Sequence, residues 1–117
     1  MTDSELRDRM DEALTLIREA IEERGGLLEL DMKPDFRWAG LARLPAGKLL
    51  IQTQKTGRQA APGDAKPVVE ATADVTLEGR FIVRILFYSA KTEVELPGGT
   101  HRPLGHAGVA KAFEALK

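Results

Sequence analysis

A chain of 117 residues with 17 Lys and Arg, 18 Asp and Glu and a net charge of −1 is one domain, residues 1–117, large enough to bury roughly 65% of its unfolded surface without disulfide staples. The absence of cysteine excludes a disulfide framework, a thiolate metal site and a thiol nucleophile, and it suits a reducing compartment. The charge is unevenly spread: Met1 to Arg24 carries eight acids and four bases, whereas Lys33 to Ala60 carries one acid and six bases.

The first residues, Met1 to Glu5, have neither the basic start nor the apolar core of a secretory signal, and no apolar run approaches the length of a membrane span. The expectation is a soluble, cytoplasmic protein with no membrane partner. Thr2 followed by Glu5 is a capping-box pattern, and Leu6, Met10, Ala13, Leu14, Ile17 and Ile21 recur at helical spacing, which predicts a helix over Asp3 to Arg24. Gly25-Gly26 ends it, and Leu28, Leu30 and Met32 then alternate with Glu29 and Asp31 as in a half-buried strand.

Phe36 to Leu44 fits period two, although Trp38, Leu41 and Ala42 also share a helical face; strand is the reading adopted. Pro45-Ala46-Gly47 is turn chemistry leading into a strand over Lys48 to Lys55, with Leu49 and Ile51 on one face and Leu50 and Gln52 on the other. Residues 56–67 carry Gly57, Gly63 and Pro67 without an apolar period, which predicts a mobile loop.

Val68 to Leu96 is the longest β block. Around Glu78-Gly79-Arg80, turn chemistry favours a two-residue loop, whereas burial favours a three-residue loop pairing Leu77 with Phe81, Val75 with Val83, Ala73 with Ile85 and Ala71 with Phe87. The burial pattern takes precedence here. That register turns Ile82, Leu86 and Tyr88 away from the core, to be covered either by a C-terminal helix over Ala107 to Lys117 or by a partner protein, with the helix preferred. The fold class predicted is α+β: an N-terminal helix, an antiparallel sheet of about five strands, and a C-terminal helix packed on the sheet.

No catalytic constellation stands out. His101 and His106 are separated by Pro103 and Gly105 and lack nearby carboxylates beyond Glu93 and Glu95, which predicts no metal site, and no cofactor motif occurs. Gly98 and Gly99 with Arg102, ahead of a helix start, form a weak anion-site pattern. Glu29, Asp31 and Asp35 read as the wet side of a strand rather than an acid–base pair.

By elimination the chain reads as a non-enzymatic protein-binding module of adaptor, chaperone or inhibitor type, with an unidentified protein partner. Its candidate surfaces are the Ile82, Leu86 and Tyr88 face and the acidic helix carrying Asp8, Asp11, Glu12, Glu19 and Glu22. Self-association into a homodimer has two routes, that face or an edge strand over Thr92 to Leu96 whose Glu93 and Glu95 oppose pairing. The alternative is single-stranded nucleic-acid binding by Arg37, Trp38, Arg43, Lys48, Lys55 and Arg58, where cations interleave with aromatics and glutamines. Against it stand the slightly acidic whole and the usual place of tryptophan in a core.

Overall fold

The computed structural model describes residues 1–59, 63 and 67–114. Helix α1 (Asp3–Glu23) starts where the capping pattern places it, with the Thr2 hydroxyl accepting from the Glu5 amide at 3.1 Å. Its end is a Schellman motif: the Gly26 amide donates to the Ile21 carbonyl and the Gly25 amide to that of Glu22, with Gly25 at φ 81°. Leu6, Met10, Ala13, Leu14, Ile17, Ala20 and Ile21 form its buried stripe.

Seven strands follow: β1 (Glu29–Lys33), β2 (Arg37–Leu44), β3 (Gly47–Lys55), β4 (Val69–Leu77), β5 (Arg80–Tyr88), β6 (Thr92–Glu95) and β7 (His101–Pro103). They lie side by side in chain order, every pair antiparallel. Helix α2 (His106–Phe113) closes the chain. The sheet exceeds the expected count of about five by two: the segments with strand character already number six once Thr92–Glu95 is included, and His101–Pro103 folds back on β6 as a three-residue strand too short to show a period. Of the expected mobile loop, residues 60–62 and 64–66 lie outside the described residues, as do residues 115–117 of the expected last helix.

Between β4 and β5 the expected three-residue loop and its Leu77–Phe81 pair are corrected, although the other three expected pairs form. The loop is the two-residue Glu78-Gly79 turn, with φ 49° and 78°, as a primed hairpin turn requires. Val75↔Val83, Ala73↔Ile85 and Ala71↔Phe87 nevertheless keep the apolar register. A bulge beside Val75 and Thr76 reconciles them by pairing Leu77 with Arg80 and Thr76 with Phe81 and absorbing Ile82 as the extra residue. Ile82, expected on the outside, therefore joins the core at 3% exposure.

Both helices share one side of the sheet. Phe113 and Val109 of α2 belong to the same buried cluster as the α1 stripe, Trp38, Ile51, Val83, Phe87 and Val94, and Arg24 of α1 donates to the Phe113 carbonyl at 2.9 Å. The expectation that α2 covers the outer side of the β4–β5 hairpin is thus corrected: α1 and α2 fill one layer, and the other side of the sheet carries no helix among the described residues. No described helix is long and apolar enough to cross a membrane.

Candidate protein-interaction face

Strand alternation fixes what the helix-free side presents. Along β2, buried Trp38, Gly40, Ala42 and Leu44 alternate with Arg37, Ala39, Leu41 and Arg43; along β3, buried Leu49, Ile51 and Thr53 alternate with Lys48, Leu50, Gln52 and Gln54. Leu41 sits directly opposite Leu50, and Ala39 opposite Gln52, which makes an apolar strip in the middle of these strands. Leu50 is 37% exposed; the other exposed large apolar side chains among the described residues are Leu27, which precedes β1, and Met32, which lies opposite Trp38 and so on the helix side of the β1 edge.

Cations bracket the strip. Lys33 is opposite Arg37 at one end and Arg43 opposite Lys48 at the other, so two like-charged pairs face each other across strands, an arrangement that costs stability. Lys33 has Asp31 at 3.8 Å, but among the described residues Arg37, Arg43 and Lys48 have no ion-pair partner. Concavities mark this surface, one of about 520 Å³ over Arg37, Ala39, Gln52 and Gln54 and one of about 340 Å³ over Glu29, Ala39, Leu41 and Leu50.

The expected site residues are divided among three places. Leu86 and Tyr88 point to this side, Leu86 between Thr72 and Glu93 and Tyr88 beneath the Lys91 ammonium at 5.4 Å from the ring centre, but Leu86 is covered by its neighbours to 7% exposure and offers a partner almost no surface, and Ile82 does not accompany them. Asp8, Asp11, Glu12, Glu19 and Glu22 are exposed on α1, in the opposite layer, so the acidic ridge and the apolar face cannot form one continuous surface. Of the nucleic-acid set, Arg37, Arg43 and Lys48 share the open face. Trp38 is 4% exposed and stacked on Phe36 in the core, so no base can reach its ring. Lys55 is turned to the helix side, over the Phe36 ring and 3.0 Å from Asp3, while Arg58 lies beyond β3.

Comparison with known proteins finds no matching family model, curated protein or solved structure.

The weak anion site is not assembled. Gly98 and Gly99 form the β6–β7 turn, where the Gly99 amide donates to the Leu96 carbonyl at 3.0 Å, and β7 separates that turn from α2. Strand β6, expected at an edge, is interior between β5 and β7, which also corrects the route to a dimer through Thr92 to Leu96.

Glu93, Lys91 and His101 form a polar group on the open side. Lys91 lies 3.1 Å and His101 3.2 Å from the Glu93 carboxylate, and their hydrogen bonds, Lys91 first, hold its pKa below the ordinary range. Nearby, Asp74 raises the pKa of Arg84 by accepting from its Nε at 2.6 Å and by its charge. A depressed carboxylate pKa contributes stability that is complete above the unfolded value of about 4.3 and is lost as pH falls through the folded one. Glu93→Gln is therefore expected to narrow the difference between urea midpoints at pH 6 and pH 3, chiefly by lowering the pH 6 value.

Sequence alone does not show the apolar strip, because Leu49-Leu50 reads as part of a single strand. Its signal lies in two neighbouring strands, each placing a leucine on its polar face, which only the β2–β3 register brings opposite one another.

Proposed function

We propose that this chain is a small non-enzymatic protein-binding module of adaptor, chaperone or inhibitor type, and that it binds through the helix-free face of β1 to β3. The observation that carries the reading is the Leu41–Leu50 strip between two like-charged cross-strand pairs, Lys33–Arg37 and Arg43–Lys48. Facing cations with few internal partners are stabilised by an incoming anionic group, and exposed apolar area at their centre supplies the hydrophobic core of an interface. The partner chemistry that fits is an acidic segment with apolar anchors, laid across the strands.

The single-stranded nucleic-acid alternative keeps Arg37, Arg43 and Lys48 but has no stacking platform beside them, since Trp38 and Phe36 are both buried. Affinity capture from source-cell lysate, with and without nuclease, separates the two readings. Wild-type protein is expected to retain a stoichiometric protein that survives nuclease. Leu50→Asp, costing about 1–2 kcal/mol because it removes the Leu41 contact and puts aspartate in an interior strand, is expected to lose it while circular dichroism shows the fold retained. Recovery of nuclease-sensitive nucleic acid, or a partner equally retained by Leu50→Asp, would contradict the proposal.

A further inference from the structure

The two edges of the sheet are built differently. Strand β7 is three residues long and includes Pro103, which has no amide to offer a neighbour. Strand β1 has five residues without proline or glycine and pairs on one side only, and its Met32 is 51% exposed. Its sequence, Glu29-Leu30-Asp31-Met32-Lys33, is self-complementary in the antiparallel sense.

We infer that β1 is the docking edge for the β1 of a second copy of this chain, the twofold axis passing through Asp31. Antiparallel pairing in that register sets Glu29 opposite Lys33 of the other copy and Leu30 opposite Met32, each twice by symmetry. The charged pair lies on the helix-free side, where Glu29, Asp31 and Lys33 sit opposite Leu41, Ala39 and Arg37 of β2. The apolar pair lies on the helix side and covers exposed Met32 with a half-buried leucine. Pro34 of each copy falls opposite Leu28 of the other and ends the pairing at both ends, so the paired segment is short. Slipping by two residues one way would bring Glu29 opposite Asp31, a like-charged pair; slipping the other way would set Asp31 opposite Lys33 but leave Leu30 facing Pro34, beyond the strand, so that only three residues of each copy pair.

One contact opposes the dimer: Asp31 meets Asp31 at the axis. The inference therefore predicts a gain on removal of a charge, which general surface electrostatics would not confine to this position. The inference goes beyond the proposed binding face, because it is read from association of the purified chain alone and needs no partner.

Sedimentation equilibrium of the full chain, taken up to about 1 mM because such short strands bury a small interface, tests it. Wild type is expected to show a monomer–dimer equilibrium. Glu29→Lys alone and Lys33→Glu alone are each expected to weaken the dimer roughly tenfold, since two attractive pairs become two repulsive ones. An equimolar mixture of these two variants is expected to form a heterodimer, because the first is then basic and the second acidic at both positions, which restores two attractive pairs. Asp31→Asn is expected to tighten the wild-type dimer several-fold. Circular dichroism of each variant checks that the fold is retained. A wild-type monomer across the whole range, a dimer indifferent to both reversals, or variants that do not recombine on mixing would each overturn the inference.

Discussion

Thr53→Val is expected to destabilise the protein by about 2–4 kcal/mol although it preserves side-chain shape, because a single hydroxyl holds the β1–β2 turn to β3. Thr53, buried at 5% exposure, donates to the Phe36 carbonyl at 2.6 Å and accepts from the Trp38 amide at 2.8 Å. Valine leaves both main-chain groups unpaired in the interior, and each costs about 1–3 kcal/mol. The same bonds help to keep Asp35 and Phe36 at φ 63° and 58°, a region that aspartate tolerates but an aromatic residue rarely enters. Phe36 is also held from its own side, stacked at 6.3 Å on Trp38 with the Arg7 and Lys55 cations over its ring. Serine retains the hydroxyl and loses only a methyl group, so Thr53→Ser is expected to cost about 1 kcal/mol. Urea denaturation of the three proteins checks the contrast; equal losses for valine and serine would show that packing, not the paired hydroxyl, is what matters at this position.

Phe113→Ala is expected to cost about 3–5 kcal/mol, at the upper end for a core truncation. Helix α2 has eight residues, too few to persist without tertiary contacts, and its anchors are Val109, Ala112 and Phe113, with Phe113 fully buried. Arg24 fastens the same residue twice, through its guanidinium 5.4 Å from the ring centre and through the bond to the carbonyl. Loss of the ring removes the apolar anchor and leaves the arginine on a loosened helix end. Amides of α2 are therefore expected to lose hydrogen-exchange protection before those of β3 to β5, while the denaturation midpoint falls. Uniform loss of protection across the molecule would show that α2 unfolds only with the sheet.

Much of the architecture is written in local pattern. Thr2 and Glu5 mark the helix start and Gly25-Gly26 its end, and alternation along β3, β4 and β5 marks three central strands, because these signals depend on neighbours within one element. Besides the short β7, three features are not legible, each for a physical reason. The β4–β5 turn and the apolar register look incompatible because a bulge, which satisfies both, has no residue signature of its own at Ile82. The layer chosen by α2 depends on the Arg24–Phe113 contact between residues 89 apart, which no window of sequence displays. The candidate face needs two strands in register before Leu41 and Leu50 meet, and before Lys33 and Arg37, or Arg43 and Lys48, reveal themselves as opposed charges. Burial of Trp38 follows from its place on the alternating face of β2, yet the same alternation read alone leaves its side of the sheet undecided.

Site-specific photo-crosslinking in source cells tests most directly whether the helix-free side is the working surface. A photoreactive residue replaces Gln52, exposed on β3 beside Ala39, in one protein and Thr15, exposed midway along α1, in another. A discrete, nuclease-resistant protein adduct from position 52 and none from position 15 is the predicted result. An adduct from position 15 alone would move the function to the acidic helix and contradict the account, as would nucleic acid as the sole adduct at position 52.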